Sequence, residues 1–408
     1  MDLVKSSFAG TNIDLQTKFA LICTRFGVLF LPLIELRVGT LTLSDCFVFL
    51  AILSLNFRSS KFDSVRSTLI KYAIVLICLG LYFVLISFYS AANISESILN
   101  ASKLLFSLGV LGVLIYIAIK IYGESDKLLI YYCFGGAIAA FSSIILPNNF
   151  QAGEFVRASG LAGHPVGLSV SCGTSLCLIM NVNQLKNRLG LVIFIGILNF
   201  IGIVRSVGLT GLAIAVLGIF VGVLYSNLGK IHKVVYFCII ACIIFILNNF
   251  NFLAAFESRM DSGLFPRTSV HSNSGGLVGS TIQIRLMTIL AGLDRALSNP
   301  IIGNGFDSAG QTSIYGIQTH NFWILMWQTG GIVAAILSVW ILAQTCVSLL
   351  KLFQSRKINP FAKVASICGS TTLFGAMISP VLYNRSFYFT LAFCFAVSKI
   401  SEEYSEKF

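Results

Sequence analysis

The chain has 408 residues, of which 56% are hydrophobic and only 11% charged, with a mean hydropathy of +0.87 and a formal net charge of +12. Charged residues make up about a quarter of an ordinary soluble globular protein, so that class is excluded. The composition predicts a polytopic membrane protein.

The first apolar run, 19–36, follows Lys5 and Lys18 but contains Arg25 and ends without a small-residue cleavage site. A secretory signal peptide needs such a site after its apolar region. We therefore expect this run to be the first transmembrane helix.

Twelve apolar runs are candidates for crossing a bilayer, which takes about 20 residues. Lipid cannot satisfy exposed backbone groups, and no run alternates with the period of two that a barrel strand needs, so helices are predicted. The fold class is thus all-α, a single integral membrane domain over 1–408 with about 12 transmembrane helices. The predicted spans are 19–36, 40–56, 69–91, 101–119, 128–147, 165–183, 189–204, 207–226, 233–253, 321–349, 361–382 and 386–400.

Lysine and arginine are distributed differently between the two sides of this topology. With both termini in the cytoplasm, fourteen of fifteen lysines fall on the cytoplasmic side, as the positive-inside rule requires, and Lys103 falls outside. Eight of thirteen arginines fall outside: Arg37, Arg157, Arg205, Arg259, Arg267, Arg285, Arg295 and Arg385. A guanidinium is suited to bidentate contact with phosphate or carboxylate, so the outer face is predicted to bind an anion. Interfacial anchoring or pairing with an outer carboxylate is the alternative for each arginine. Nucleic acid is not expected as a partner.

The longest connection, 254–319, lies on the outer side. Its first half is polar and rich in Gly and Ser, which is typical of a mobile segment. In its second half, apolar residues recur at three- and four-residue steps from 281 to 297, and Asn299-Pro300 follows, which predicts an amphipathic helix. This helix would be about 25 Å long. Because Gly292 and Asp294 interrupt it, we expect it to lie on the membrane surface.

Four outer residues on or between these elements are candidates for an anion site. Arg285 lies on the more polar side of the amphipathic helix, where snorkelling toward water is the alternative role. Arg205 lies at the tip of a tight turn between two apolar runs, a costly position unless it faces a polar cavity or partner. Arg157 and His164 flank a Gly-rich turn and are possible lining residues; His164 could equally bond a loop carbonyl.

His320 and Asn321 open the tenth predicted span. A neutral imidazole at a membrane mouth can accept a proton from a hydroxyl, and Asn321 beside it can donate and accept hydrogen bonds. A structural role is the alternative for a single interfacial histidine.

Several motifs are absent from the sequence. The outer loops contain no DxD, no HExxH and no GxSxG with partners, and no Walker loop occurs on the cytoplasmic side. The eleven cysteines lie in apolar runs without CxxC or metal spacing, and we interpret them as small buried hydrophobes. No metal or other cofactor is expected.

Three segments occur in the order found in the O-antigen polymerase and O-antigen ligase superfamily of bacterial envelope glycosyltransferases, which this chain resembles over about a third of its length. They are RSVGLTGLA from Arg205, IRLMTILAGLDRALSNPIIGNGF from Ile284 and HNFWILMWQTGG from His320. The resemblance implies a bacterial inner-membrane protein whose large periplasmic loop is 254–319, with the active site facing the periplasm.

The resemblance also implies the reaction and the roles of the candidates. The donor would be an undecaprenyl-pyrophosphate-linked glycan, and the acceptor a sugar hydroxyl of a second glycan. Arg205, Arg285 and Arg157 would bind the pyrophosphate, and His320 would act as the catalytic base, with His164 and Asn321 lining the site. Membrane lipid and a chain-length regulator are the other expected partners.

Within this chemistry we favour polymerisation of repeat units into O-antigen or a related polysaccharide. The alternative is the ligase that transfers the finished polymer to lipid A core. A lipid-linked glycan transporter is less favoured, because the candidate residues lie near one interface without a charged series along the spans.

Overall fold

The computed structural model describes residues 14–224 and 281–405, apart from short gaps at 39, 58–61, 147, 149, 153–154, 183–184, 186–187, 207, 315–316, 357–358, 360, 380–381 and 383. The described part is about 82% helical. The predicted span 233–253, Arg259, Arg267 and the polar first half of the long loop lie outside the described residues.

The helices follow the predicted apolar runs closely. Eleven of the twelve predicted spans overlap a helix, with ends that differ by up to seven residues, and the predicted amphipathic helix is also present. In chain order the helices are α1 (Leu15–Leu29), α2 (Leu43–Ser54), α3 (Asp63–Ser90), α4 (Ile94–Leu105), α5 (Gly112–Lys120), α6 (Ser125–Ile145), α7 (Pro165–Ile179), α8 (Leu189–Ser206), α9 (Leu209–Leu224), α10 (Thr281–Ser298), α11 (Ser308–Gln311), α12 (Phe322–Gln354), α13 (Ala362–Ile378) and α14 (Arg385–Ser405). A π-helical turn, Phe106–Leu111, joins α4 to α5.

Five of the described helical stretches are long and apolar enough to cross a membrane: Val65–Ser90, Ile94–Lys120, Ser125–Ile145, Leu189–Ser206 and Phe322–Ser355. Several others are shorter, such as α2 with 12 residues and α7 with 15. The chain is therefore an all-α membrane protein, as expected, whereas the number of twelve spans stays a prediction.

Three short antiparallel hairpins occur in the connections, where no strand was predicted. They are β1 (Arg37–Val38) with β2 (Leu41–Thr42), β3 (Phe150–Ala152) with β4 (Phe155–Arg157), and β5 (Thr312–Ile314) with β6 (Ile317–Gln318). Runs of two or three residues are too short to show a period-two pattern. Each hairpin pairs two strands within a single connection.

The helix α7 lies at the centre of the bundle and packs against α6, α8 and α9. Thirteen of its fifteen residues are buried. Small side chains let membrane helices approach closely, and a Cβ on Gly173 of α7 would overlap the Gly211 carbonyl of α9. This close contact fixes the start of α9 against α7.

The long helix α12 is broken at Gly331, which has φ 61° and ψ −157°. The last three carbonyls before the break accept hydrogen bonds from the amides of Asn304 and Gly305 and from the Tyr82 hydroxyl, at 2.8, 3.0 and 3.2 Å. A broken membrane helix is tolerated when neighbours satisfy the freed backbone groups. The first turns of α12 are thereby fastened to the loop that follows α10.

The two ends of the bundle differ in their ion pairs. At the start of α14, Arg385 forms a buried bidentate pair with Asp45, at 2.7 and 2.6 Å. At its other end, Glu402 pairs with Lys351 and Lys399, and Glu403 with Lys120. Measured along α14, these ends lie roughly 27 Å apart, because an α-helix rises about 1.5 Å per residue. We call them the arginine end and the lysine end.

Nine of the eleven cysteines lie in the described residues, and six of them are buried. The remaining three, Cys46, Cys78 and Cys346, are exposed on the surfaces of their helices. The interpretation of every cysteine as buried is therefore wrong for these three. An apolar run shows that a cysteine lies on a membrane helix, but not which face of the helix it occupies.

Candidate functional site

The turn between α8 and α9 brings the three predicted arginines together at the arginine end. Arg205 belongs to the last turn of α8, and its Nη2 donates to the Ser143 carbonyl of α6 at 3.2 Å. Arg157, at the end of β4, donates from Nε to the Ser206 carbonyl at 2.9 Å. Both guanidinium groups are therefore held beside this turn.

Arg285 approaches the same turn from α10. Its Nη2 lies 3.5 Å from the Thr210 hydroxyl, in the first turn of α9. The side chain is half-buried against the bundle, so it points toward the protein and does not simply snorkel toward water. Arg157 and Arg285 thus contact the turn at Ser206 and Thr210, and Arg205 belongs to the same turn.

The start of α9 adds backbone donors to this arginine cluster. The first hydrogen bond within the helix runs from the Leu212 amide to the Gly208 carbonyl, at 3.2 Å. The amides of 209–211 therefore have no acceptor within the helix, and the helix dipole favours a negative charge at this end. An anion near the turn would meet both amides and guanidinium groups.

The arginines of the arginine end fall into two groups. Among the described residues, Arg205 and Arg285 form no ion pair, and each donates one hydrogen bond although a guanidinium has five N–H donors. By contrast, Arg385 forms a bidentate ion pair with Asp45, and Arg295 donates to the carbonyls of Ala309 and Thr312. The structural alternative thus holds for Arg385 and Arg295. Donors remain for a ligand at Arg205 and Arg285.

His320 lies just before α12 and contacts α10 through one buried threonine. Its Nδ1 lies 3.2 Å from the hydroxyl of Thr288, which is fully buried. The same hydroxyl lies 2.9 Å from the Arg285 carbonyl, one turn earlier. The predicted base and the predicted anion-binding arginine are therefore joined through a single side chain.

Burial, together with the positive charge of Arg285, lowers the pKa of His320 to about 4, although a hydrogen bond with the Gln318 backbone acts in the opposite direction. The imidazole is consequently neutral near pH 7 and able to accept a proton. Burial also lowers the pKa of Arg285, although a guanidinium remains charged at neutral pH.

The two lining candidates act as helix caps. His164 precedes α7, and its Nδ1 accepts from the Val166 amide at 3.2 Å; burial and the charge of Arg157 lower the pKa of His164. Asn321 precedes α12, and its Oδ1 accepts from the amides of Trp323 and Ile324, at 3.0 and 3.1 Å. Its Nδ2 donates to the Met377 carbonyl at 3.3 Å. Each cap orients a helix that borders the site.

The predicted helix 281–297 is confirmed as α10, but Gly292 does not interrupt it. Gly292 is a contact point, since a Cβ there would overlap the Thr319 hydroxyl beside His320. Thr288, Gly292 and Ala296 form the buried face toward α12. Of the predicted apolar positions, Leu286, Leu290 and Leu297 are 54%, 64% and 57% exposed. The small residues therefore face the protein and the leucines face outward.

Sequence reasoning missed the two threonines of this site, Thr210 and Thr288. Thr288 follows Arg285 by three residues, so it shares a helix face with it. This three-residue spacing could therefore have predicted that Thr288 lies beside Arg285. No comparable signal links Thr210 to Arg285, because 75 positions separate them.

Comparison of the sequence with models of known protein families and with curated proteins gives no match. The geometry of the arginine cluster and of His320, together with the motif resemblance, are therefore the grounds for assigning a function.

Proposed function

We propose that the protein polymerises undecaprenyl-pyrophosphate-linked oligosaccharide repeat units into O-antigen or a related surface polysaccharide, at the periplasmic face of the bacterial inner membrane. The observation that carries the proposal is the convergence of Arg157, Arg205 and Arg285 on one turn, with neutral His320 tied to the backbone of Arg285. A cluster of guanidinium groups beside a neutral base suits transfer from an anionic leaving group to a hydroxyl.

The chemistry divides between these groups. The donor's anomeric carbon loses its bond to the pyrophosphate oxygen, which leaves with the electron pair. Fixed positive charges at Arg205 and Arg285 stabilise that oxygen as its charge develops. The acceptor hydroxyl forms the new bond to the anomeric carbon, and its proton passes to His320. The activated donor supplies the driving force, so no nucleotide is needed.

The surroundings of Arg285 favour this role over a purely structural one. A half-buried guanidinium without a carboxylate partner is costly in a membrane protein unless it serves a ligand or a polar cavity. Arg385, at the same end of the bundle, has the buried carboxylate that Arg285 lacks among the described residues. We infer that a phosphate of the substrate takes the place of that carboxylate at Arg285.

The test is complementation of a deletion strain, read out as the lipopolysaccharide ladder on a gel. Arg285→Ala and His320→Ala should each abolish chain extension at normal membrane abundance. Arg37→Ala is the matched control, because its guanidinium is exposed and only loosely paired with Glu35 at 3.7 Å. It should give a normal ladder. Wild-type ladders from both site variants would overturn the assignment.

The deletion strain also separates polymerisation from the other two functions. Loss of a polymerase leaves core bearing a single repeat unit. Loss of the ligase leaves bare core while lipid-linked polymer accumulates, and loss of a transporter traps single units on the cytoplasmic side. Either of the last two patterns would contradict polymerisation.

A further inference from the structure

The hydrogen-bond geometry of Thr288 bears on which nitrogen of His320 carries the proton. The Thr288 hydroxyl has a single hydrogen and two neighbours, the Arg285 carbonyl at 2.9 Å and His320 Nδ1 at 3.2 Å. A carbonyl oxygen only accepts, whereas a ring nitrogen donates or accepts according to the tautomer. The hydroxyl can bond both neighbours at once only if it donates to the carbonyl and accepts from Nδ1–H.

The other tautomer forms fewer hydrogen bonds. With the hydrogen on Nε2, Thr288 would have to turn its hydrogen to Nδ1 and give up the bond to the Arg285 carbonyl. Thr288 is fully buried and His320 is half-buried, so water does not readily replace a lost bond there. Loss of one such bond lowers the population of that tautomer roughly fivefold.

We propose that Thr288 is a positioning residue which holds His320 in the Nδ1–H tautomer, so that Nε2 is the atom that accepts the proton of the acceptor hydroxyl. This inference rests on the proposed glycosyl transfer. In the step, the acceptor O–H bond breaks and its hydrogen joins Nε2. The oxygen then forms the bond to the anomeric carbon as the carbon–pyrophosphate bond breaks.

The arrangement links base and anion site through one helical turn. Thr288 accepts from the imidazole and donates to the backbone of Arg285, whose guanidinium reaches toward Thr210. The orientation of the imidazole is thus set by the same turn of α10 that carries the pyrophosphate-binding arginine. With Nδ1–H donating to Thr288, Nε2 carries the lone pair that accepts the proton of the second substrate.

The direct test is ¹⁵N NMR of the full-length protein in lipid vesicles with labelled histidine. The chain has four histidines, and loss of one signal set in His320→Gln assigns His320. Protonated and bare ring nitrogens differ widely in ¹⁵N shift. We expect Nδ1–H in the wild type and in Thr288→Ser, which keeps the hydroxyl. Thr288→Val keeps the shape but removes the hydroxyl, and should give a tautomer mixture or Nε2–H.

Turnover of lipid-linked repeat units by the same samples supplies the second readout. Thr288→Val should lower kcat roughly five- to tenfold, as expected for one lost hydrogen bond, with KM for the donor little changed. Thr288→Ser should restore most of the rate. An Nε2–H wild type, or a Thr288→Val protein with unchanged tautomer and rate, would overturn the proposal. An inactive wild type showing Nδ1–H would instead overturn the proposed function and support the tautomer assignment.

Discussion

The arginines at the arginine end differ in whether a carboxylate balances their positive charge. Arg385 and Asp45 form a buried bidentate pair, and removing one partner of such a pair is expected to cost about 3–5 kcal/mol. Their role is to join α14 to α2. Arg285 has no such partner among the described residues. The carboxylate thus gives Arg385 a structural role, and its absence at Arg285 among the described residues is the ground for the proposed ligand-binding role.

The sequence placed these arginines on one side of the membrane but could not sort them by role. Asp45 lies 340 positions from Arg385, and no local pattern joins two residues so far apart. His320 was predicted as the base from its position at the mouth of a span. Its burial and its link to Thr288 depend on how α10 packs, which periodicity alone does not determine.

The low pKa of His320 leads to a prediction for the pH dependence of catalysis. Because burial and the charge of Arg285 keep the free imidazole neutral to about pH 4, the acidic limb of kcat/KM should fall near that value and not near 6.5. When bound pyrophosphate offsets the charge of Arg285, protonation of His320 becomes easier. The acidic limb of kcat, which reports the substrate complex, should therefore lie at higher pH than that of kcat/KM.

The measurement is the initial rate of chain extension in detergent or vesicles across the acidic range. An Arg285→Gln protein that retains residual activity provides the control. Its kcat/KM limb should move upward, since one cause of the shift is removed while burial remains. A wild-type kcat/KM limb at 6.5, or coincident limbs for kcat and kcat/KM, would contradict the coupling.

At the scale of elements, the packing of α10 against α12 brings Thr288 to His320. The spacing of apolar residues predicted α10 within one residue of its observed end, because Asn299-Pro300 stops the helix. The same pattern did not identify the buried face. Lipid and protein interior are both apolar, so a leucine stripe does not say which of the two it faces; small residues such as Gly292 mark the protein side here.

The break in α12 was not predicted, although Gly330-Gly331 lies inside the apolar run. Glycine pairs also occur in unbroken membrane helices, so the pair alone is ambiguous. What produces the break is the loop after α10, whose amides at Asn304 and Gly305 bond the freed carbonyls. That contact depends on tertiary packing and could not be read from either segment alone.

We predict that Gly331→Ala severely destabilises the start of α12. Its φ of 61° is unfavourable for alanine, and the new Cβ would overlap the Ile301 carbonyl oxygen. Gly112→Ala is the matched control, since Gly112 lies in α5 with helical φ and no atom within 4 Å of a Cβ. Thermal unfolding in detergent should show a marked fall in Tm for Gly331→Ala.

The control variant Gly112→Ala should leave Tm unchanged or raise it slightly, because alanine restricts the unfolded chain and favours a helix. Chain extension should be lost in Gly331→Ala together with stability, since His320 and the loop 299–306 would shift. Equal Tm values for the two variants would show that the break at Gly331 is not required for the fold.

On the scale of the whole molecule, charge separates the two ends of the bundle. Arg205, Arg285 and Arg385 lie at one end, and the ion-paired lysines of α5, α12 and α14 lie at the other. Composition and the positive-inside rule predict this division of charge between the two ends. The rule uses the number of Lys and Arg residues in each loop and does not depend on how the helices pack. The rule assigns the lysine end to the cytoplasm.

This orientation predicts which end a membrane-impermeant thiol reagent reaches in intact spheroplasts. Arg37→Cys, at the arginine end, and Lys399→Cys, near the lysine end, replace side chains that are 53% and 64% exposed. Arg37→Cys should be labelled from outside, and Lys399→Cys only after the membrane is opened, with wild-type labelling as the background. The opposite pattern would put the arginine cluster in the cytoplasm. A periplasmic glycan donor could then not reach it, and the proposed polymerisation would fail even if the fold and the site geometry are as described.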